Sequence, residues 1–68
     1  MKPYYYVSGT EGRLLNVKHL NLHSAHVEAL RLAENNLGDA FEILMCIGIT
    51  QAVKSSTFWM DGVNPYQP

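Results

Sequence analysis

The chain has 68 residues, a formal net charge of −1 and one cysteine. A domain of this length buries only about 60% of the surface that its unfolded form exposes, and one cysteine cannot close an internal disulfide, so we expect a second copy of the chain to add stability. The balanced charge excludes a strongly basic nucleic-acid surface, and no apolar run approaches the roughly 20 residues that cross a bilayer, so we expect no membrane contact.

Tyrosines dominate the first predicted element. Residues 4–7 are strong β-formers directly after a proline, which predicts a first strand. Alternation places Tyr4 and Tyr6 on one face of this strand and the other two side chains on the opposite face. Residues 8–12 contain two glycines and are typical of a turn. The segment that precedes this strand lacks the apolar core of a signal peptide, so we expect a cytoplasmic protein.

The second predicted strand, residues 13–22, has an interrupted pattern. Its apolar residues form two pairs of opposite parity: Leu15 and Val17, then Leu20 and Leu22. A bulge near Lys18 or His19 would bring both pairs onto the core face, and a break between two separate strands would do the same. We favour the bulge.

An amphipathic helix is predicted next. Ser24 has the side-chain oxygen of an N-cap, so the helix should begin there. At about 100° per residue, the apolar side chains form an arc with alanine at its centre and leucine at its sides. The arc comprises Ala25, Ala29, Leu32 and Ala33 on one side and Val27, Leu30 and Leu37 on the other. Small central residues let a helix approach a sheet closely, which favours core packing over a coiled-coil seam or a cofactor site.

A glycine and an alternating apolar run follow the helix. Gly38 should end the helix at C′ because glycine adopts the left-handed conformation without strain. The alternating residues are Phe41, Ile43, Met45, Ile47 and Ile49. This period predicts one strand whose apolar face meets the helix. Leu44 and Cys46 then form an apolar strip on the face away from the helix.

The remaining residues complete an α+β architecture. Residues 51–56 are polar and predict a turn, and residues 57–60 predict a brief fourth strand. We assign residues 1–60 to a single domain and residues 61–68 to an irregular C-terminal tail. The predicted fold is an α+β two-layer sandwich, in which one helix packs on an antiparallel sheet of three to four strands in the order β-β-α-β-β.

The sequence offers little for catalysis or metal binding. His19, His23 and His26 have the spacing H-x3-H-x2-H, but no Asp or Glu beside them is an obvious further ligand, and solvated histidines are the favoured interpretation. Cys46 lies between apolar neighbours, where a thiol is usually an inert small hydrophobe, and its parity directs it away from His26. The carboxylates include no pair spaced for acid–base work. We therefore expect no catalytic residue, no metal and no cofactor.

The tyrosine run admits two interpretations. Aromatic side chains on a sheet can stack unpaired bases, but such platforms lie in a positive groove, and the five cations here are dispersed along the chain. Tyrosines at a sheet edge are more often packing or protein-interface residues, because they bury a large area at low entropy cost. Protein binding is favoured, and nucleic-acid binding is the alternative.

Four sequence features occur in order along the chain. They are a tyrosine-rich strand, an A-x-x-x-A helix at Ala29 and Ala33, an Asn-x-Gly turn into F-x-I-L at residues 41–44, and a short strand containing Trp59. In these respects most of residues 4–60 resembles small proteins encoded by tailed bacteriophages and prophages. The resemblance implies a phage setting and a non-catalytic accessory role.

The favoured function is therefore binding of a protein. We expect a small homodimer in the host cytoplasm that binds and occludes a host or host-defence protein, without catalysis. The alternative is an accessory or regulatory protein that binds nucleic acid through the tyrosine-rich strand, with Lys18 and Arg13 at the phosphates. The motivation is an apolar and aromatic patch larger than a chain of this size should leave in water. The expected partner-binding residues are Tyr4, Tyr5, Tyr6, Leu44, Cys46 and Trp59.

Overall fold

The computed structural model describes residues 1–12, 14–52 and 56–66, which form one helix and five strands. The elements are β1 (Tyr4–Gly9), β2 (Leu14–His19), α1 (Leu22–Asn35), β3 (Phe41–Cys46), β4 (Gly48–Gln51) and β5 (Ser56–Trp59). Strands β1 to β3 form an antiparallel sheet in the order β2-β1-β3, and β4 and β5 form a separate antiparallel hairpin. The predicted α+β class is confirmed.

Strand β1 is the centre of the three-stranded sheet. It pairs with β3 in an unbroken antiparallel register, from Tyr4 opposite Cys46 to Gly9 opposite Phe41. The pairing continues one step beyond the strands, since the Thr10 N–H donates to the Ala40 carbonyl at 3.1 Å. Strands β2 and β3 lie on opposite sides of β1, so α1 carries the chain across one face of the sheet from one edge to the other.

The pairing of β1 with β2 is irregular. Tyr5 lies opposite His19 but Val7 lies opposite Leu15, so β2 places four residue steps against two steps of β1. This irregularity lies beside Lys18, close to the predicted bulge. The extra residues bend the edge strand and let its end meet the helix.

The predicted effect of the bulge was wrong. Strand β2 ends at His19, and Val17, Leu20 and Leu22 are all exposed. Leu22 already belongs to the first turn of α1, so the strand cannot extend to residue 22 as predicted. Arg13 and the side chain of Leu15 lie outside the described residues.

The helix begins earlier than predicted. Asn21 is the N-cap, and its side-chain oxygen accepts the N–H of Ser24 at 2.8 Å. The expectation that Ser24 caps the helix was wrong. Asparagine and serine are comparable N-caps, and here the Ser24 hydroxyl lies 2.8 Å from Nδ1 of His19 instead. His19 at the end of β2 therefore contacts Ser24, and Asn21 forms the N-cap instead.

The helix also ends before its predicted glycine. Asn36 is the C-cap, and its backbone N–H donates to the Ala33 carbonyl. Gly38 has the expected positive φ, 94°, but it lies in the turn that follows and not at C′. In that turn the Asp39 N–H donates to the Asn36 carbonyl at 3.0 Å.

Alanines bring α1 close to the sheet. Ala25 and Ala29 are buried against Val7 of β1. Three partly buried side chains complete this core: Tyr5, Leu32 and Phe41. The alanine half of the predicted arc is thus confirmed. The other half was wrong, because three exposed residues lie beyond the reach of a three-stranded sheet: Val27, Leu30 and Leu37.

The long strand predicted at residues 41–49 was wrong, because the structure divides it in two. Strand β3 ends at Cys46, Ile47 belongs to no strand, and β4 pairs with β5 instead of β1. Ile43 lies on the helix side, opposite Val7, but Ile43 and Ile47 are each 37% exposed. Val7 occupies the core position expected of these isoleucines, because it is on the central strand while Ile43 is on an edge strand.

The β4–β5 hairpin makes the molecule long. The extents are 43 × 22 × 22 Å and the radius of gyration is 14.1 Å, whereas a compact chain of this length would have a radius of gyration of about 11 Å. The hairpin corresponds to the predicted fourth strand and its partner. At its base the Met60 N–H donates to the Ile47 carbonyl at 2.8 Å.

Residues 61–66 form neither helix nor strand, but they are tied to the rest of the chain. The Asp61 N–H donates to the Met1 carbonyl at 2.8 Å. Tyr66 makes an edge-to-face contact with Trp59, with 5.8 Å between ring centroids. Residues 53–55 of the predicted turn and residues 67–68 of the predicted tail lie outside the described residues.

The alanine contact predicts a clear difference between two leucine substitutions. Ala25→Leu should lower the free energy of unfolding by about 1–3 kcal/mol, because the added atoms have no space between helix and sheet. Val27→Leu, at an exposed position of the same helix, should change it by less than about 0.5 kcal/mol. Urea denaturation followed by circular dichroism measures both. Equal stability of the two variants would contradict the packing described for Ala25.

Candidate functional site

The face of the sheet opposite α1 gathers four of the predicted partner-binding side chains. Tyr4 lies directly opposite Cys46, and Tyr6 lies directly opposite Leu44. Directly opposed residues of an antiparallel pair project from the same face, and that face is the one away from buried Val7. We call Tyr4, Tyr6, Leu44 and Cys46 the open-face cluster.

The aromatic part of the open-face cluster is internally braced. The rings of Tyr4 and Tyr6 meet edge to face, with centroids 5.9 Å apart and planes at 77°. The Lys18 ammonium lies 3.9 Å from the centroid of the Tyr4 ring, at a distance that gives a cation–π interaction. The tyrosines are therefore held in place before any partner arrives, and one positive charge lies at the margin of the cluster.

The apolar part of the cluster lies on β3. Leu44 is 42% exposed, which is high for a leucine in the middle of a paired strand. Cys46 is half-buried, and its thiol donates a weak hydrogen bond to the Gly48 carbonyl, with sulfur and oxygen 3.5 Å apart. The thiol is thus directed toward the point where the chain leaves the three-stranded sheet.

Tyr4 is held in its neutral form. Hydrogen bonding with the Cys46 side chain, reinforced by desolvation and by repulsion from the charges that Cys46 and Tyr6 would carry on ionising, raises the pKa of Tyr4 above its ordinary value. An ordinary tyrosine already ionises only near pH 10. The ring therefore contributes no negative charge at neutral pH, and the cluster stays apolar apart from Lys18.

The structure separates the two other predicted residues from the cluster. Tyr5 lies on the helix side of β1 and packs against the core. Trp59 lies on β5, opposite Gly48 and in contact with Tyr66. A Cβ on Gly48 would lie 2.7 Å from Cζ3 of the indole, so only glycine lets the ring cross β4 here.

Sequence reasoning missed Gly48 as part of these surfaces, and it placed Lys18 beside the tyrosines only in the nucleic-acid alternative. A glycine inside an apolar strand pattern often marks a close approach of another group, and that signal was present at Gly48. Nothing local to Lys18 predicts its contact with Tyr4, because the contact depends on the bulge that turns β2 beside β1.

The histidine corner contains a pair that sequence reasoning also missed. His19 is buried, and its Nδ1 lies 2.8 Å from Oγ of Ser24. A serine beside a histidine is the start of a nucleophile and base pair, but such a pair also needs a group that orients the imidazole. Within the described residues, the second ring nitrogen of His19 has no hydrogen bond to play that part. The pair joins the end of β2 to the first turn of α1.

Metal binding finds no matching cluster in the described part of the chain. No three or more His, Cys, Asp or Glu side chains lie where they could share an ion. His23 and His26 are exposed on α1, whereas His19 is directed into the corner. The three histidines thus point into different surroundings.

An open groove lies at the far end of the sheet, where the β1–β2 turn meets the end of α1. Its volume is about 490 Å³, and its walls include Thr10, Glu11, Leu32, Asp39 and Phe41. The volume is within the range of small-molecule sites, but such sites need several polar groups converging on a ligand. The two carboxylates at this groove, Glu11 and Asp39, are both on exposed residues.

Comparisons of the chain with known protein families, with curated proteins and with solved structures find no match. Within residues 1–12, 14–52 and 56–66, no helix has the length and apolar character needed to cross a membrane. Any function assigned to the chain therefore rests on its own geometry.

The contact between Tyr4 and Cys46 can be tested by titration. Cys46→Ala should bring the pKa of Tyr4 back toward its ordinary value, because it removes both the hydrogen bond and the repelling thiolate. NMR of the tyrosine Cζ carbons against pH follows the change. Leu44→Ala is the control, since Leu44 neither hydrogen bonds nor ionises, and it should leave the pKa of Tyr4 raised. An unaltered Tyr4 titration in Cys46→Ala would contradict the described contact.

The same pKa has a consequence for stability. The folded chain holds the Tyr4 proton more tightly than the unfolded chain does, so folding is favoured most below the ordinary tyrosine pKa of about 10. Stability should fall as the pH rises through the raised pKa, and Cys46→Ala should weaken this fall.

Proposed function

We propose that the chain is a non-catalytic protein-binding module and that the open-face cluster is its contact surface. The observation that carries the proposal is the pairing of Tyr4 with Cys46 and of Tyr6 with Leu44 on the face that α1 leaves uncovered. Two aromatic rings and two apolar side chains are thereby concentrated on one strand pair. Aromatic residues beside apolar ones are typical of the energetically dominant part of protein interfaces.

The rigidity of the cluster supports binding. Ordering a mobile side chain on association costs about 0.5–1.5 kcal/mol. The Tyr4 ring is already fixed by the Tyr6 ring and by the Lys18 ammonium, so it loses little freedom when a partner covers it. A partner that fits this surface is apolar at its centre and carries an acidic side chain where Lys18 lies.

A flat sheet face supports occlusion of a surface better than chemistry on a small molecule. A contact across two strands covers an area of the partner but encloses no substrate, since small-molecule sites are concave. The resemblance to small phage-encoded proteins supports a host or host-defence protein as the partner. The chain would then act in the host cytoplasm by covering a surface that the partner needs.

Binding of single-stranded nucleic acid is the second candidate. The stacking of Lys18 on Tyr4 favours it, because bases stack on aromatic rings and phosphates contact lysines. The formal charge of −1 opposes it. Arg31 offers no additional charge at this face, because it lies on α1 and pairs with Glu28, whose pKa it lowers. Binding to single strands that weakens steeply with added salt would favour this candidate over a protein partner.

A matched pair of lysine substitutions tests the proposed surface. Leu44→Lys places a charge in the open-face cluster, and Leu30→Lys places the same charge on α1 at a residue that is 50% exposed. Both side chains are exposed leucines, so neither change should unfold the chain. Leu44→Lys should weaken partner binding by at least about tenfold, which corresponds to about 1.4 kcal/mol, and Leu30→Lys should not.

The partner is identified first by capture from host lysate on the wild-type chain and is then purified. Isothermal titration calorimetry of the purified pair measures the affinity of each variant. Equal affinity of the Leu44→Lys and Leu30→Lys chains would remove the open-face cluster as the contact surface. Circular dichroism of each variant confirms that the fold is retained.

A further inference from the structure

One face of the β4–β5 hairpin is apolar. Ile49 lies directly opposite Phe58, and two steps further along the ladder, beyond the pair of Gly48 and Trp59, the Met60 N–H donates to the Ile47 carbonyl. Alternation then brings four side chains to one face, which we call the hairpin face: Ile47, Ile49, Phe58 and Met60. Met60 is buried at the base, but Phe58 is 40% exposed.

Part of the hairpin face is uncovered: Ile47 and Phe58 are 37% and 40% exposed, whereas Met60 is buried. The helix packs on the three-stranded sheet, and the hairpin extends beyond that sheet in a molecule 43 Å long. A two-stranded hairpin with no further layer is at best marginally stable in water. The hairpin therefore gains most from an additional contact.

The exposed area matches the contact that is needed. The molecule exposes 5351 Å², whereas a compact protein of this mass would expose about 4,300 Å². The excess, about 1,000 Å², is close to the roughly 800 Å² that each partner buries in an interface of standard size. One interface of standard size would thus reduce the exposed area of each chain to about that of a compact protein of the same mass.

The chemistry of the hairpin favours its own copy. Strands β4 and β5 contain no charged residue. A two-fold axis places a surface against itself, and a face without charge meets its copy without repulsion. If the hairpin needs a partner in order to fold, that partner must be available wherever the chain is made. A second copy of the chain meets this condition.

We propose that a second copy of the chain covers the hairpin face, so that two hairpins pack about a two-fold axis with Ile49 and Phe58 at the centre of the contact. The open-face cluster lies on a different sheet and is not part of this contact. The dimer is therefore independent of the proposed function, and each can fail without the other.

Sedimentation velocity on the full chain tests the dimer. Wild type should sediment as a particle of twice the 7.7 kDa chain mass at micromolar concentration. Phe58→Lys should weaken the association at least a hundredfold. Thr57→Lys is the matched control, because Thr57 is the adjacent exposed residue on the opposite face of the same strand, and it should remain a dimer.

The single tryptophan gives a second measurement. Trp59 packs against Gly48 and Tyr66 on the other face of the hairpin, so its emission reports whether the hairpin is folded. Because the second copy stabilises the hairpin, the emission should depend on chain concentration in wild type and in Thr57→Lys. In Phe58→Lys the emission should be red-shifted and independent of concentration. Circular dichroism with urea tests whether the helix and three-stranded sheet of this variant still unfold cooperatively.

A charge-pair experiment separates loss of the dimer from loss of the hairpin. Phe58→Lys and Ile49→Glu should each be monomeric alone, and a mixture should form a heterodimer because the opposite charges meet across the axis. A wild-type monomer up to high micromolar concentration would overturn the proposal. So would a mixture that stays monomeric, or a Phe58→Lys dimer that Leu44→Lys dissociates.

Discussion

The structure depends on the close contact of Ala25 and Ala29 with Val7. The methyl groups of two alanines let the helix axis lie near the central strand, and Ala25 and Val7 are almost fully buried there. Any larger side chain would lift the helix and open the contacts that Tyr5, Leu32 and Phe41 make around it. Because this core lies on one face of β1 and β3, the opposite face of the same strands remains uncovered.

Local patterns predicted the elements that depend on local forces. Alternation separated Tyr4 and Tyr6 from Tyr5, and the helical period identified the buried alanines. The start of the helix could not be predicted in the same way. Two side chains capable of capping lie three residues apart, and the choice between them follows from His19, which contacts Ser24 only after β2 has bent toward the helix.

The division of the third predicted strand is a non-local effect of the same kind. The apolar alternation from Phe41 to Ile49 continues through the break, since both new strands have an apolar face. What changes at Ile47 is the pairing partner, from β1 to β5, and a period in the sequence carries no information about which strand lies alongside. Trp59, expected beside the tyrosines, is consequently on a different sheet.

A single residue, Ile47, joins the two sheets, and hydrogen bonds hold the chain on both sides of it. This connection joins β3, which carries Leu44, directly to the hairpin. If two hairpins pack together, the assembly carries two open-face clusters, one on each three-stranded sheet. Such an assembly would bind a target with repeated subunits at two points. The second binding event would be intramolecular and would occur at a raised effective concentration.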